Sequence, residues 1–480
     1  PFLYKTTDLG RTWTKITAGI PDDDFCRIVR EDPVRPNVLY AGTETGLYVS
    51  HDGGRRWQRV QANLPHVPVH DLAVREGELV LATHGRSFWA LDDITPLREG
   101  APASGEHLYA PRPAYRVRSK GGFGGRAIPG RNYRSTDATI LMYEFSEDPA
   151  TGDRTERYLD AGKNPPDGAI VHYWLPAAPE GEVKLSFHDA RGRLIREFTS
   201  RRDRPEAAPT PEAALPGEGA ETQAAPGGSA TGTEKKKEPR VKTEAGLNRF
   251  VWNLRYPDAA RIEGDPSMDE FERALAGPLV PPGGYEVRLK AGGETLRQEL
   301  EVRMDPRVPA GQPEILEQFD LLLRIRDKVS QTHEAIMGIR TLRKQIGDLE
   351  ARSADDRAFR QITRAAADLR KQLLAIEGEL VQWRAKSRQD TLNWPAKLNA
   401  KLGGLAAYVG QSDTRPTAAQ LELFADLSQR VDAQLAALDA VVQGDLKRFT
   451  SLVRSAKLPA VTLPKVEARR PERRAAAAAR

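Results

Sequence analysis

The sequence predicts a multidomain protein in which an all-β portion is followed by an α-helical antiparallel bundle. Three observations support this fold class. A motif near the N-terminus recurs at a fixed offset, segments of alternating apolar and polar residues fill the middle of the chain, and apolar residues recur every seven positions towards the C-terminus. The length of 480 residues allows about two to four domains of roughly 100 to 200 residues each.

The first β portion is built on a repeat. TTDLGRTW at residues 6–13 and SHDGGRRW at residues 50–57 superimpose at an offset of 44 residues, and offsets of about 40 to 50 residues are typical of β-propeller blades. Short strands separated by turns predict one four-stranded blade over residues 25–60. A further unit at residues 69–93 has lost the motif. We expect the last blade there, and we assign residues 1–98 to the terminal blades of a partial propeller.

The spacing within each copy predicts a structural turn. A Ser or Thr hydroxyl and an Asp carboxylate two residues apart can both bond the backbone of a tight turn. The Gly supplies a position with φ above zero, and the Trp returns on the next strand to pack against the blade. The residues predicted to have this structural role are Thr6, Asp8, Gly10, Trp13, Ser50, Asp52, Gly54 and Trp57.

These motifs resemble the Asp-box, or BNR, repeat of sialidases, sortilin-type receptors and xyloglucan-hydrolysing propeller enzymes. The second copy has Arg56 where that family prefers Thr. The phrases LVLATHGRSFWALDD and NPPDGAIVHYWL also resemble the C-terminal half of large bacterial proteins described as glycosyl hydrolase-like or sortilin-like. The resemblance implies a secreted or periplasmic protein in which the boxes lie at the periphery, away from the ligand-binding centre.

The first residues, PFLYKTTDLG, contain no Met and lie inside a copy of the repeat. We therefore interpret the chain as the C-terminal part of a longer protein, in which upstream blades are required to close the propeller. The last unit lacks a fourth strand, and in closed propellers this strand commonly comes from the beginning of the chain, which removes the open sheet edge.

The middle of the chain predicts a connector and a second β domain. Residues 99–168 are rich in Gly, Pro and Arg, and we expect an irregular connector with one strand at residues 139–145. Alternating segments over residues 169–305 indicate an immunoglobulin-like antiparallel sandwich. Residues 203–242 interrupt it with almost no large apolar side chain. This insertion cannot offset its ordering entropy by burial, so we expect it to be disordered.

A helical period begins after the sandwich and predicts an antiparallel bundle over residues 310–456. The apolar stripe of the first helix includes Leu322, Val329 and Ile336, and that of the second runs from Phe359 to Trp383. Such stripes are typical of a bundle core.

Capping signals place the remaining helices. Thr417 followed by Gln420 makes a capping box for the third long helix. The segment 395–409 predicts a shorter connecting helix, and the basic tail at residues 457–480 has no apolar periodicity and is expected to be disordered.

Composition excludes several classes of function. The longest apolar runs are far shorter than the roughly 20 residues that cross a bilayer, so no membrane span is expected. The net charge of +5 is small beside 72 basic and 67 acidic residues, which argues against a nucleic-acid partner. Cys26 is the sole cysteine, and the eight His residues show no metal-ligand spacing. We therefore predict neither a metal site nor a cofactor.

The candidate binding residues are Glu44, His84 and Arg86, which occupy matching loops, TETG and THGRS, between the second and third strands of their blades. Asp22 to Asp24 form a turn in which consecutive acids are usually solvated. Hydrolysis of a glycoside requires two carboxylates about 5 to 10 Å apart, and no such catalytic set is identifiable.

We therefore predict a scaffold that recognises an extracellular glycan or a protein or peptide ligand, without a complete active site. One alternative is a sialidase-like or xyloglucanase-like glycoside hydrolase whose catalytic carboxylates lie mostly in missing N-terminal blades. Another is a sortilin-like module that binds peptides.

Overall fold

The computed structural model describes residues 1–118, 127–135, 139–147, 154–159, 161–162, 164–201, 238–268, 274–353, 360–385, 390 and 392–456. These residues form a series of β-sheets followed by a C-terminal helical region of about five helices. The described sheets do not close into a barrel or a propeller. The predicted order, with sheets first and helices last, is confirmed.

Three antiparallel sheets form the N-terminal region. A two-stranded sheet pairs β1 (Tyr4–Lys5) with β2 (Thr14–Lys15). The first unit is a four-stranded sheet in chain order: β3 (Cys26–Glu31), β4 (Leu39–Thr43), β5 (Leu47–Ser50) and β6 (Gln58–Val60). The second unit is a three-stranded sheet in chain order: β7 (Val69–Arg75), β8 (Glu78–Thr83) and β9 (Phe88–Leu91). Within the described residues no strand pairs with the outer edge of β9.

The two units pack against each other through one apolar core. β3 lies beside β7, and Arg30 Nη2 of β3 lies 3.2 Å from Asp71 Oδ1 of β7. At Gly42, an added Cβ would come within 2.7 Å of Ile28 Cγ2 and Val69 Cγ1. A side chain there would therefore push the two units apart. The buried residues of this shared core are Val38, Tyr40, Leu47, Val49, Leu64, Val67, Val69, Leu72, Leu79, Leu81 and Ile94.

A short helix, α1 (Thr95–Glu99), leads from the second unit into the middle of the chain. The strands of the middle region are β10 (His107–Leu108), β11 (Ala114–Arg116), β12 (Gly130–Ser135), β13 (Ile140–Glu147), β14 (Arg154–Tyr158), β15 (Ala169–Leu175), β16 (Lys184–Asp189), β17 (Leu194–Thr199), β18 (Gly246–Trp252), β19 (Gly283–Ala291) and β20 (Glu294–Met304). They form three sheets, ordered β10-β15-β18, β11-β20-β19-β16-β17 and β12-β13-β14.

The three-stranded and five-stranded sheets built on β15 and β19 form a sandwich around one core. The indole of Trp252 on β18 stacks on the ring of Phe187 on β16, with centroids 4.3 Å apart. Both side chains are fully buried, as is Tyr173 of β15. These aromatic residues therefore fill the core between the sheets and are not available to bind a ligand.

Residues 99–168 contain more regular structure than their composition predicts. β10 and β11 join the sandwich sheets, while β12, β13 and β14 form a separate antiparallel sheet. The buried rings of Tyr143 and Phe145 line one face of β13. The neighbouring strands carry ion pairs such as Arg134 with Glu156, at 2.9 Å. Because charged side chains dominate these strands, the apolar alternation that marks a strand in the sequence is weak.

The predicted insertion at residues 203–242 falls mostly outside the described residues. Its last five residues, 238–242, are described and lie against the sandwich. Val241 is buried, and its amide donates to the carbonyl of Thr199 at 3.3 Å. Tyr173 Oη donates to the carbonyl of Lys242 at 2.6 Å. The chain is therefore anchored before β18 begins.

The helical region consists of α2 (Gln312–Ser353), α3 (Arg360–Leu380), α4 (Leu398–Val409), α5 (Ala418–Val441) and α6 (Lys447–Ser455). A π-helical segment, Val442–Leu446, joins α5 to α6. The capping box forms as predicted: Thr417 Oγ1 accepts from the amide of Gln420, whose side chain accepts from the amide of Thr417. No helix in the described ranges is both long and apolar enough to cross a membrane. The tail at residues 457–480 lies outside the described residues.

A buried polar latch joins the sandwich to the helices; it consists of Arg116, Arg118, Gln318 and Asp413. Asp413 Oδ1 lies 2.8 Å from Arg116 Nη2 and 2.7 Å from Arg118 Nη2. Gln318 of α2 donates to the carbonyl of Val409 at 2.9 Å. Although burial favours the neutral acid, the hydrogen bond from Arg118 and the charges of both arginines hold the pKa of Asp413 below its ordinary value. A buried charge with this many partners is stable only while all of them stay in place.

Candidate functional site

The first copy of the repeated motif, the first box (residues 6–13), forms a closed turn. Thr6 Oγ1 donates to Asp8 Oδ1 at 2.8 Å and accepts from the amide of Gly10 at 2.9 Å. The same Asp8 oxygen accepts from the amide of Thr12 at 2.9 Å. Gly10 has a φ of +89°. The hydroxyl and the carboxylate are thus fully used by the turn itself.

The second copy, the second box (residues 50–57), repeats this pattern. Ser50 Oγ donates to Asp52 Oδ1 at 2.8 Å and accepts from the amide of Gly54 at 2.9 Å. Asp52 Oδ1 accepts from the amide of Arg56 at 2.9 Å, and Gly54 has a φ of +92°. Arg in place of Thr leaves this bond intact because the donor is a backbone amide.

The tryptophans of the two boxes have different surroundings. Trp57 is 2% exposed, its Nε1 donates to the carbonyl of Ile16 at 2.7 Å, and its amide donates to the carbonyl of Ala18 at 2.9 Å. Trp13 is 60% exposed, and its Nε1 donates to the carbonyl of Gly10 in its own turn. The second box therefore packs on the segment that follows the first, whereas in the described residues no segment covers Trp13.

The loop that carries Glu44 lies at the other end of β5 from the second box. β5 begins at Leu47, just after this loop, and ends at Ser50, the first residue of the box. The box turn and the loop of Glu44 are therefore on opposite ends of the first unit.

The carboxylate of Asp24 fixes the loop of Glu44. Asp24 is 2% exposed and accepts from Thr43 Oγ1 at 2.9 Å, from the amide of Thr45 at 3.1 Å and from Tyr48 Oη at 3.0 Å. Burial, and then the bond to Asp24, raise the pKa of Tyr48. Asp24 is thus a structural anchor, unlike the solvated turn residue that its sequence context suggests.

A β-bulge occurs at the same place in both units. The register between β3 and β4 shifts at Arg27, and the register between β7 and β8 shifts at His70. A bulge leaves one residue without a ladder partner and redirects its side chain. Arg27 is thereby directed to Glu44, and His70 to His84, which are the two loop residues that the sequence predicts as binding residues.

Glu44 is held in a charged pair. Arg27 donates to Glu44 Oε2 from Nε at 2.7 Å and from Nη2 at 2.5 Å, and its guanidinium lies 4.7 Å from the ring centroid of the exposed Phe25. The amide of Glu44 donates to the carbonyl of Phe25 at 3.1 Å. Phe25 and Arg27 complete the environment of Glu44, and no sequence motif marks either of them.

His84 occupies the corresponding place in the second unit. Its amide donates to the carbonyl of Pro68 at 3.0 Å, and its ring stacks on that of His70 with centroids 4.9 Å apart. Arg86 lies in the same loop with its side chain exposed, and its carbonyl accepts from Trp89 Nε1 at 3.0 Å. We call the six residues of the two loops and bulges the bulge surface: Phe25, Arg27, Glu44, His70, His84 and Arg86.

The bulge surface has the features of a binding site. It presents a cation paired with an anion, an exposed aromatic ring, two stacked imidazoles and one further arginine. The acids near it are already engaged, Glu44 by Arg27 and Asp71 by Arg30. Among the residues that the structure describes, no group of three or more His, Cys, Asp and Glu side chains is placed to hold a metal ion.

The end of the second unit, where the motif has been lost, forms a junction with the sandwich. Asp93, which aligns with Asp52, accepts from the amide of Thr95 at 2.9 Å, and its other oxygen lies 3.3 Å from Nδ1 of the buried His172 on β15. Although burial favours the neutral acid, the nearby imidazole of His172 and the hydrogen bonds from Thr95 hold the pKa of Asp93 below its ordinary value. The aspartate persists here as an interdomain contact.

A cleft of about 710 Å³ lies elsewhere, at one end of the five-stranded sheet, and contains none of the predicted site residues. Three of the four acids that line it are paired with arginines: Asp189 with Arg193 at 2.7 Å, Glu301 with Arg303 at 2.6 Å, and Glu286 with Arg288. The cleft is therefore charged but largely self-neutralised.

No protein-family model matches the chain, and no curated protein matches it. Among solved structures, the chain has a distant similarity to an ancestral GH74 enzyme, with 14% sequence identity and a TM-score of 0.16. The similarity covers 41% of this chain and 35% of the chain of that enzyme, about a third of its length. At this level it identifies neither the fold nor the activity of this chain.

Proposed function

We propose that the N-terminal region supplies terminal blades of an Asp-box β-propeller, and that its bulge surface binds an extracellular glycan or peptide. The observation that carries this proposal is the repeated bulge, which directs Arg27 to Glu44 in one unit and His70 to His84 in the next. Bulges that redirect side chains are common at functional sites, and two at equivalent positions provide adjacent polar contacts for one extended ligand.

Binding fits this surface better than catalysis does. A glycoside hydrolase needs an acid and a second carboxylate about 5 to 10 Å apart. Glu44 accepts two hydrogen bonds from Arg27, and Asp24 is buried beneath the loop with several donors. These carboxylates are therefore engaged in holding the surface together.

Further propeller units would pack on two exposed features. Trp13 would be covered by the counterpart of residues 16–20, the segment that covers Trp57. The edge of β9, where Phe88 is exposed, corresponds to the edge of β5 that β6 occupies in the first unit. An added strand there would extend the sheet by backbone hydrogen bonds.

A binding experiment tests the function. The 480-residue chain is applied to an array of extracellular glycans, including xyloglucan and sialylated oligosaccharides, and the dissociation constant of the strongest binder is measured. We expect Arg27→Ala and His84→Ala each to weaken binding by about tenfold or more, which is about 1.4 kcal/mol. Arg56→Ala is the matched control, because Arg56 is exposed on the box at the opposite end of the unit.

An equal loss of affinity in the Arg56 variant, or no loss of affinity in the other two variants, would show that the bulge surface is not the binding site. Release of reducing sugar that Glu44→Gln abolishes would instead favour the alternative of a glycoside hydrolase.

A further inference from the structure

An arginine held between two tryptophans lies in the segment that connects α3 to α4. The guanidinium carbon of Arg384 is 5.2 Å from the ring centroid of Trp383 and 4.9 Å from that of Trp394. The sequence pattern places Trp383 on the core stripe of the second helix. In the structure α3 ends at Leu380, and Trp383 is 46% exposed.

The backbone around this cluster is tied together by a buried amide. Gln382 Nε2 donates to the carbonyl of Pro395 at 3.0 Å, which links the residue before Trp383 to the residue after Trp394. The amide of Trp394 donates to the carbonyl of Asp390 at 2.9 Å. The backbone segments that carry the two indoles are therefore held together without a ligand.

The donor groups of Arg384 are available. A guanidinium over an aromatic ring uses its face for the cation–π contact, and its N–H groups point outwards in the plane. Arg384 forms no hydrogen bond or ion pair with any residue of the described ranges. By contrast, Arg340 and Arg343 of α2 both donate to Glu377. Arg384 thus presents an oriented fork that matches a carboxylate.

The flanking rings restrict what else the ligand contains. Trp394 is 36% exposed, so both indoles offer apolar surface beside the donor fork. A ligand that uses all three groups carries a carboxylate attached directly to a ring, together with ring faces made of C–H groups that can stack on the indoles. Uronic acid residues in an oligosaccharide have this arrangement, whereas an Asp or Glu of a peptide carries its carboxylate on a flexible chain.

We propose that Trp383, Arg384 and Trp394 form a binding site for a carboxylated glycan, with the guanidinium on a uronate carboxylate and the indoles on adjacent sugar rings. The site belongs to the helical region, so it is independent of the bulge surface and of the function proposed for it.

Titration of the 480-residue chain with an oligogalacturonate tests the proposal, with calorimetry for affinity and tryptophan fluorescence as a local signal. We expect saturable binding that Arg384→Gln and Trp394→Ala each weaken by about tenfold or more. Arg364→Gln, at an exposed arginine of α3, and Trp13→Ala, at an exposed tryptophan elsewhere, are the matched controls and leave the affinity unchanged.

Two further ligands separate the contribution of the carboxylate charge from that of the sugar rings. The methyl-esterified oligosaccharide lacks the charge and is expected to bind about tenfold more weakly or worse. A poly-glutamate peptide of equal charge lacks the rings and is expected to bind at least as weakly. Absence of binding to oligogalacturonate, equal binding of either comparison ligand, or an Arg384→Gln variant that keeps full affinity while folding normally by circular dichroism would each overturn the proposal.

Discussion

The first and second boxes share the hydrogen bonds of the Ser or Thr hydroxyl and the backbone amides, but not their packing. In both, a hydroxyl and an aspartate close the turn with the same distances to within 0.1 Å. Trp57 is buried on the segment at residues 16–20, whereas Trp13 is open to solvent. The comparison separates two levels of structure: the turn needs only its own residues, but the tryptophan is buried only where a neighbouring unit supplies a surface.

Substituting each of the two tryptophans by alanine should give the largest difference in the free energy of unfolding. Trp57→Ala removes a buried indole and should lower the free energy of unfolding by about 3 to 5 kcal/mol. Trp13→Ala removes an exposed one and should change it by less than about 0.5 kcal/mol. Denaturant titration of both variants measures the difference. An unchanged midpoint for Trp57→Ala would mean that the second box does not depend on its packing.

A single methyl group added at Gly19 should displace the segment at residues 16–20, which covers Trp57. Gly19 has a φ of +98°, and an added Cβ would lie 2.3 Å from the carbonyl oxygen of Trp57. Gly85 has a similar φ of +85°, but no atom lies within 4 Å of its added Cβ. We expect Gly19→Ala to destabilise the protein by about 1 to 3 kcal/mol more than Gly85→Ala, the cost of overpacking. Equal melting temperatures would contradict this.

Acid should destabilise both boxes, and by less free energy than the tryptophan and glycine substitutions do. The pKa of Asp8 lies below its ordinary value because the amide and hydroxyl of Thr12 donate to it. Burial favours the neutral form of Asp52, but the amide of Arg56 and other donors lower its pKa as well. A folded pKa below the unfolded value of about 3.9 contributes stability above that pH, which is lost as the pH falls through the folded pKa.

We therefore expect the unfolding free energy to decline below about pH 4, with a shallower decline in Asp52→Asn. Asp8→Asn should alter the slope less, because the first box is exposed and its loss frees only a surface turn. Equilibrium unfolding at a series of pH values measures both slopes, and a greater effect of Asp8→Asn would reverse the comparison.

The sequence predicts regular elements best where one pattern dominates. Alternation at residues 169–175 predicts a strand that the structure has at Ala169–Leu175, and the seven-residue stripe predicts the long α2. The sequence also predicts a strand at residues 139–145, where the structure has β13, but it does not reveal β12 and β14, whose charged residues obscure the period. Trp383 continues the stripe by spacing alone, yet the helix ends before it and the residue is exposed.

The residues of the candidate site are harder to predict from the sequence pattern. Glu44 and His84 can be found because they occupy matching loops, but their partners depend on a register shift in the ladder. No residue type marks a bulge, so Arg27 and His70 look like ordinary strand residues. One signal was present: each follows the first residue of the first strand of its unit.

The polar latch between Arg116 and Asp413 also sets an order of events during synthesis. The two residues are 297 positions apart in the chain, and a ribosome adds about 5 to 20 residues per second. Asp413 is therefore synthesised roughly 15 to 60 seconds after Arg116. During that interval the N-terminal sheets can already be complete, while β11 must keep its arginine hydrated. The edge of the sandwich is thus among the last parts of the protein to close.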